Sequence, residues 1–218
     1  MTRTLITILT WNRLDITKSV FQTLINHNKD NMRDVLFMDN GSTDGTVKWI
    51  EKSGFEVLKN KENEGIFMGT RRVWLEGVKR GYDFIINLQN DFPCLHSIPF
   101  DDIEAYLDAY SNVGFVRLNE KKKKPGRNIN KLTKEKLKYK TYKKFGNTEF
   151  AKHNHHFSFN PNFIKSSIID HLVNPVEKPR ERQIMERFNS LKMYAAKIKD
   201  PCPIFKTVIR DREEGWEH

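Results

Sequence analysis

Four short apolar runs, at residues 4–9, 35–38, 55–58 and 83–88, are separated by segments whose apolar residues recur every three or four positions. This alternation leaves few folds open. The first run, TLITIL, is rich in β-branched residues and stops at the polar TWNR. In LDITKSVFQTLINHN, Ile16, Val20 and Leu24 recur at spacing four with Phe21 and Ile25 beside them, behind Asp15 as a candidate cap. Ser42 or Thr43 is placed to cap a second helix through DGTVKWIEK, which Gly54 ends, and a third runs from about Phe67 to Arg80 and stops at Gly81. Strands alternating with helices call for right-handed crossovers and a mostly parallel sheet with helices on both faces.

The second half is less regular. PFDDIEAYLDAYSN reads as a helix and VGFVRL as a strand; HHFSFNP is expected as an antiparallel strand, PNFIKSSIIDHL and PRERQIMERFNSLK as helices, and MYAAKI and PIFKTVI as late strands. A chain of 218 residues and 25.8 kDa fits one domain, 1–218, made of a half at 1–95 and a half at 96–218. No run approaches the 18 or so apolar residues of a membrane span, and the N-terminus lacks a signal-peptide pattern, so a cytoplasmic protein is expected. Cys94 and Cys202 are too few and too far apart for a zinc motif or a disulfide framework, and reduced thiols are expected.

The net charge of +10 is concentrated. Residues 121–144 hold twelve Lys or Arg and one acid, a net of +11, which leaves −1 on the rest of the chain. A duplex-binding domain spreads its charge over a face that tracks phosphates, and this pattern does not. The insert reads either as a solvated basic loop or as a contact for an anionic substrate, a membrane surface or a polyanion.

Polar clusters follow three of the strands: TWNR after the first, DNGSTDG after the second and QND after the fourth. In an open parallel sheet ligands bind outside the carboxyl ends of the strands, so one crevice is placed to gather all three. The spacing from Asn40 to Glu51 mimics a calcium loop, but an EF-hand loop follows a helix, and here a strand precedes it. No G-x-G-x-x-G follows the first strand, and neither a P-loop nor a G-x-S-x-G elbow is present.

These segments resemble the family-two glycosyltransferases, inverting nucleotide-sugar enzymes of the GT-A fold. ITILTWNR is similar to that family's opening strand and T-Y-N-R turn, VLFMDNGSTDGT to its V-V-D-D-G-S-T-D-G-T segment, and NEGIFMGTRRVWLEGVKRGYDFIINLQND to the corresponding stretch of rhamnosyltransferase-like members. The resemblance covers residues 4–92 and fades after Asp91. It implies a Rossmann-like GT-A domain with a nucleotide-sugar half, residues 1–95, and a smaller mixed acceptor-side half that carries the basic insert.

It further implies a UDP-, dTDP- or GDP-sugar donor, a hydroxyl acceptor such as a glycan, and a divalent metal, Mn or Mg. Asp39 would accept a hydrogen bond from the base, and Trp11 would pack against it. Thr10, Asn12, Arg13, Asn40, Gly41, Asn63, Gly65, Gly69, Gln89 and Asn90 would complete the donor site, with Arg71 and Arg72 on the diphosphate. Asp91 would hold the metal; the family's D-x-D begins here with Gln89, which removes one carboxylate. His155 and His156 are further candidate metal ligands. In PRERQIMERF, Glu181 falls at the position of the catalytic base, although it could equally serve as an ion-pair partner of the arginines around it. The rival to an enzyme is a degenerate sheet domain that holds a polyanion or partner through its basic insert.

Overall fold

The computed structural model describes residues 2–119, 139–154, 157–174, 180–199 and 204–206. The first half alternates as its periodicity requires: β1 (Thr4–Thr10), α1 (Leu14–Asn28), β2 (Asp34–Asp39), α2 (Thr46–Lys52), β3 (Glu56–Lys59), α3 (Gly65–Lys79) and β4 (Phe84–Gln89). There follow α4 (Phe100–Ala109), β5 (Val113–Arg117), β6 (Tyr139–Phe145), β7 (Thr148–His153), β8 (Asn162–Lys165), α5 (Ile169–Val173), α6 (Glu181–Ser190) and β9 (Tyr194–Ile198). The nine strands form one sheet in the order β3-β2-β1-β4-β8-β5-β9-β7-β6. Pairing is parallel from β3 to β4, antiparallel on both sides of β8, parallel between β5 and β9, and antiparallel through β7 and β6.

Successive side chains on a strand point to opposite faces, and each face has its own core. One layer sets Phe21, Leu24, Ile50, Ile103 and Tyr106 against Ile6, Phe37, Ile86 and Phe163. The other sets Val73, Trp74, Leu172 and Phe188 against Leu5, Ile85, Phe115 and Ile164. Helices α1, α2 and α4 thus cover one face and α3, α5 and α6 the other. Among the described residues no helix is long and apolar enough to cross a membrane. Cys94 is buried, which pushes its thiol up to about 11.

Several expectations for the second half need correction. PNFIKSSIIDHL is a helix only at its end: residues 162–165 form β8, where Phe163 and Ile164 bury on opposite faces between β4 and β5, and a 3-10 turn at Ser166–Ile168 leads into α5. Alternate burial between two strands outweighed the helical spacing. Residues 157–159 of HHFSFNP are no strand but a strap across the sheet, tied down by polar side chains described below. The β6–β7 hairpin was not expected, because the end of the lysine-rich insert reads as loop; β6 is an edge strand, where lysines are tolerated. Of PIFKTVI, only residues 204–206 are described, with Phe205 bridging Cys94 and Asn119. Residues 121–138 of the basic insert lie outside the described residues.

Candidate functional site

The loops leaving β1, β2, β3 and β4 are laced together at one end of the sheet. Asn12 is one knot: its backbone N–H donates to Ser42 Oγ at 2.7 Å, its Oδ1 accepts the N–H of Thr43 at 2.9 Å, and its carbonyl accepts Asn90 Nδ2 at 3.3 Å. The last of these joins the turn after β4 to the loop after β1, and Asn90 Nδ2 also donates to Thr17 Oγ1 at 3.0 Å. Asn12 and Arg13 both adopt positive φ, 51° and 62°, a conformation that non-glycine residues keep only where surrounding bonds hold it. Helix α1 begins directly after them.

The caps differ from expectation for the same reason. Asp44, rather than Asp15, serves the start of α1 by accepting Leu14 N–H at 2.7 Å, and its other oxygen accepts Thr46 N–H and Oγ1 at the start of α2. Ser42 and Thr43 therefore do not cap α2. Burial pushes the Asp44 carboxyl up, but the bonds from Thr46 and Leu14 outweigh it and hold the group below the usual carboxylate value.

Asp39 ends β2 at 1% exposure, level with Thr10 on β1. Its Oδ1 accepts Ser42 N–H at 2.9 Å, and its Oδ2 accepts Thr10 Oγ1 at 3.1 Å and the Ser42 hydroxyl. Three donors on a carboxylate with about four acceptor positions leave it oriented, with room for one more.

Asn40 is the second knot. Its Nδ2 donates to Asn63 Oδ1 at 2.5 Å and Gly65 O at 3.2 Å, while its Oδ1 accepts Asn60 Nδ2 at 2.8 Å and Glu64 N–H at 3.2 Å. All four bonds of this buried amide go to residues 60–65 after β3, which suits a positioning role. A Cβ on Gly41, at φ 80°, would sit 2.7 Å from the Glu62 backbone, and one on Gly69 would sit 2.6 Å from Leu9 Cδ1. Both glycines permit close approach of the β3 loop and α3 to the strand ends.

Asp91 follows β4 and is buried, at 6% exposure. Strands β2 and β4 flank β1, so the ends of the strands that lead to Asp39 and Asp91 are two strand spacings apart, roughly 9–10 Å. Trp11, half-buried, leaves β1 between them. Gln89 Nε2 donates to Phe159 O at 3.4 Å, the carbonyl that also accepts Asn87 Nδ2 at 2.9 Å. The position that the resemblance assigns to a first metal carboxylate here faces the strap at 157–160. Among the described residues no group of three or more His, Cys, Asp or Glu side chains could hold a metal ion, so at Asp91 a hard cation of the Mg type would need oxygens from outside the chain to complete its shell. His155 and His156 lie outside the described residues.

Both arginines of α3 have hydrogen-bond partners within the chain. The helix starts at Gly65, which puts them in its second turn. Arg71 donates to Val173 O at 3.3 Å and to Asn174 Oδ1 at 2.6 Å, and Arg72 to Lys59 O at 2.9 Å and to Asn60 Oδ1.

Glu181 is the exposed first residue of α6. That helix ends just before β9, which starts beside Val113 at the foot of β5, and Phe188 packs on Phe115 with ring centroids 5.0 Å apart. The helix therefore runs against β5 and β9 and begins toward the end of the sheet where the loops gather. Of the surrounding arginines, Arg182 pairs with Glu186 at 2.9 Å and Arg187 donates to the carbonyls of His171 and Asn174, while the backbone N–H of Arg180 donates to Gln183 Oε1.

The sequence reading missed Ser42, Asn60 and the Phe159 strap. Only Asn87, a lone amide inside the apolar run FIINLQ, left a visible signal for the strap.

No family model and no curated protein sequence matches the chain. Solved structures do. S. aureus TarS 1-349 is 13% identical over 91% of this chain and 58% of that one, with a TM-score of 0.59. The mannosyltransferase PcManGT from Pyrobaculum calidifontis, in complex with GDP-Man and Mn2+, is 15% identical over 97% of this chain and 58% of that one, with a TM-score of 0.63. The fold is that of the GT-A glycosyltransferases. GalNAc-T7 with UDP, GalNAc and Mn2+ shares the GT-A arrangement at 9% identity over 94% of this chain and 43% of that one, with a TM-score of 0.62. The chain spans less than two thirds of the length of each of these proteins.

Proposed function

We propose that the chain transfers a sugar from a nucleotide diphosphate sugar to a hydroxyl acceptor, with inversion at the anomeric carbon. The observation that carries this reading is the lacing of four strand-end loops by Asn12 and Asn40 at the end of the sheet where β2 stops at Asp39 and the turn after β4 carries Asp91, an arrangement that supports one nucleoside diphosphate spanning the two. The solved structures of the same fold support it: TarS 1-349 in complex with UDP, and PcManGT in complex with GDP-Man and Mn2+. The donor is read as a UDP-, dTDP- or GDP-linked hexose or deoxyhexose, the last because residues 4–92 resemble rhamnosyltransferase-like sequences.

Each residue has a defined task in this reading. Asp39, oriented by Thr10 and Ser42, accepts a proton donor of the base through its remaining acceptor position. Trp11 covers the base, and Gly41 lets the β3 loop close beneath it. Asp91 would hold Mn or Mg, and the chemistry such an ion would supply is neutralisation of charge on the departing diphosphate. Glu181 takes the proton of the acceptor hydroxyl while its oxygen bonds to the anomeric carbon and the bond from that carbon to the diphosphate oxygen breaks. Positioning of the two substrates supplies most of the acceleration.

Calorimetric titration of UDP, dTDP and GDP with Mn into the folded protein tests the reading. Binding of one nucleotide with metal, lost in Asp91→Asn while the melting temperature stays within a few degrees, is expected. Absence of heat from all three would refute it. A salt-sensitive polyanion complex formed instead would favour the binding-protein rival.

A further inference from the structure

Asn119 follows β5 at 7% exposure, and its enclosed Oδ1 has no hydrogen-bond partner among the described residues. A buried amide oxygen left unpaired is unfavourable, so stability of the fold does not explain an asparagine at this position. Its neighbours do. Leu118 is buried in the core under α1, α2 and α4, so the side chain of Asn119 turns to the opposite face, the one that carries α3, α5 and α6. Gln89 turns to that same face at the end of β4, level with Leu9 of its core.

The strap joins these two strand ends. Phe159 O accepts Gln89 Nε2 at 3.4 Å, and Pro161 O accepts Leu118 N–H at 3.1 Å. Asn160 therefore sits between Gln89 and Asn119. Deeper on the same face, Asn87 and Asn162 hold the strap down by donating to its carbonyls, Asn87 to Phe159 O and Asn162 to Ser158 O and Asn160 O, at 2.9 Å each. The upper amides are engaged on one side only. Gln89 donates to the strap and Asn160 to Ser158 Oγ, while Gln89 Oε1 and Asn160 Oδ1 have no hydrogen-bond partner among the described residues. Both of these residues are half-buried, within reach of a ligand in the cleft.

From this geometry, and resting on the glycosyl-transfer reading, we infer that Gln89, Asn160 and Asn119 bind the hydroxyls of an uncharged carbohydrate acceptor. None of the three is charged, and a carboxamide offers a donor and an acceptor, as a hydroxyl does, so a row of them matches a polyol better than an ion. Rotation about the Cβ–Cγ bond of Asn119 exchanges its oxygen and nitrogen without moving the backbone, which lets the side chain meet either role of a sugar hydroxyl. Strands β4 and β5 lie two places apart, so the row spans roughly 10 Å, a length for linked sugar rings. It starts two residues before Asp91 and leads away from the nucleotide: β5 is four places from β2, roughly 19 Å from the strand that ends at Asp39. A second substrate lying along the row would therefore meet the donor at the Gln89 end.

The test incubates the labelled full chain on a printed array of neutral and anionic oligosaccharides, with and without Mg and UDP, dTDP or GDP, and titrates the glycans that are bound. Neutral glycans are expected to bind in the presence of nucleotide. Asn119→Leu and Asn160→Ala are each expected to weaken that binding about fivefold or more and to leave nucleotide affinity within about twofold. Asn119→Leu removes an amide whose oxygen has no partner, so its melting temperature should be no lower than the parent's, a result that a purely structural asparagine would not give. If Asn119→Leu does not fold, Asn160→Ala alone decides. Binding confined to anionic glycans, no glycan bound at all, or undiminished binding in both variants would overturn the inference. Failure of every nucleotide to bind, with neutral glycans still held through Asn119 and Asn160, would instead remove the glycosyl-transfer reading and leave the carbohydrate site standing.

Discussion

Ser42 Oγ accepts the backbone N–H of Asn12 at 2.7 Å and donates its own proton to Asp39. One hydroxyl thus links the loop after β1 to the carboxylate that ends β2. Ser42→Ala removes both bonds and leaves Asn12 N–H and one Asp39 oxygen short of a partner, at a cost of about 1–3 kcal/mol. A urea melt should show that loss. Calorimetry should show weaker nucleotide binding than the lost stability alone explains, because Asp39 loses one of its three donors and keeps only Thr10 Oγ1 and the backbone N–H of residue 42; unchanged affinity would detach Asp39 from the base.

Asn40 gives and takes two hydrogen bonds, all to the loop after β3. Asn40→Asp keeps the shape but turns a carboxylate oxygen toward Asn63 Oδ1 and Gly65 O, two acceptors. A destabilisation of about 1–3 kcal/mol is expected, with faster amide exchange at residues 60–65. A variant as stable as the parent would show that the amide orientation assigned to Asn40 is wrong.

Glu181→Gln keeps the volume and hydrogen-bonding reach of the side chain and removes its basicity. Single-turnover transfer should slow by about 10²–10⁴, with donor affinity and melting temperature unaltered. A loss smaller than about fivefold would mean that another group accepts the proton.

Asp44 carries a pH signature. Its carboxyl is held below the ordinary value in the folded chain, so its contribution is fully present above the unfolded value near 4 and fades as pH falls through the lower folded value. The melting-temperature gap between the parent and Asp44→Ala should therefore be constant from pH 5 to 7 and shrink below about pH 4. The group is largely solvent-exposed, so the gap will be small. A gap that widens in acid would reverse the sign argued here.

Where local pattern and tertiary context agree, residues predict structure well. Ile16, Val20 and Leu24 mark the buried face of α1 by spacing alone, and TLITIL could hardly be other than a strand. The convergence of three strand-end loops was equally readable, because strand polarity fixes which end they leave from. Partnerships were not readable. Nothing in DNGSTDG says that Ser42 faces Asp39 rather than capping α2, or that Asp44 reaches back to α1, since those choices depend on Asn12 adopting a left-handed turn. The second half failed for a different reason: Asn162–Lys165 is too short to declare a period, and its place between β4 and β5 is set by partners far away in sequence.

The outer strand β6 closes the sheet on one side, and its exposed Lys143 and Lys144 stand at that margin. A second molecule approaching edge-on would meet its own positive charge before any shared ladder could form. Lysines at this margin thus oppose edge-to-edge pairing of two copies, and a polyanion that neutralised them would lower that barrier.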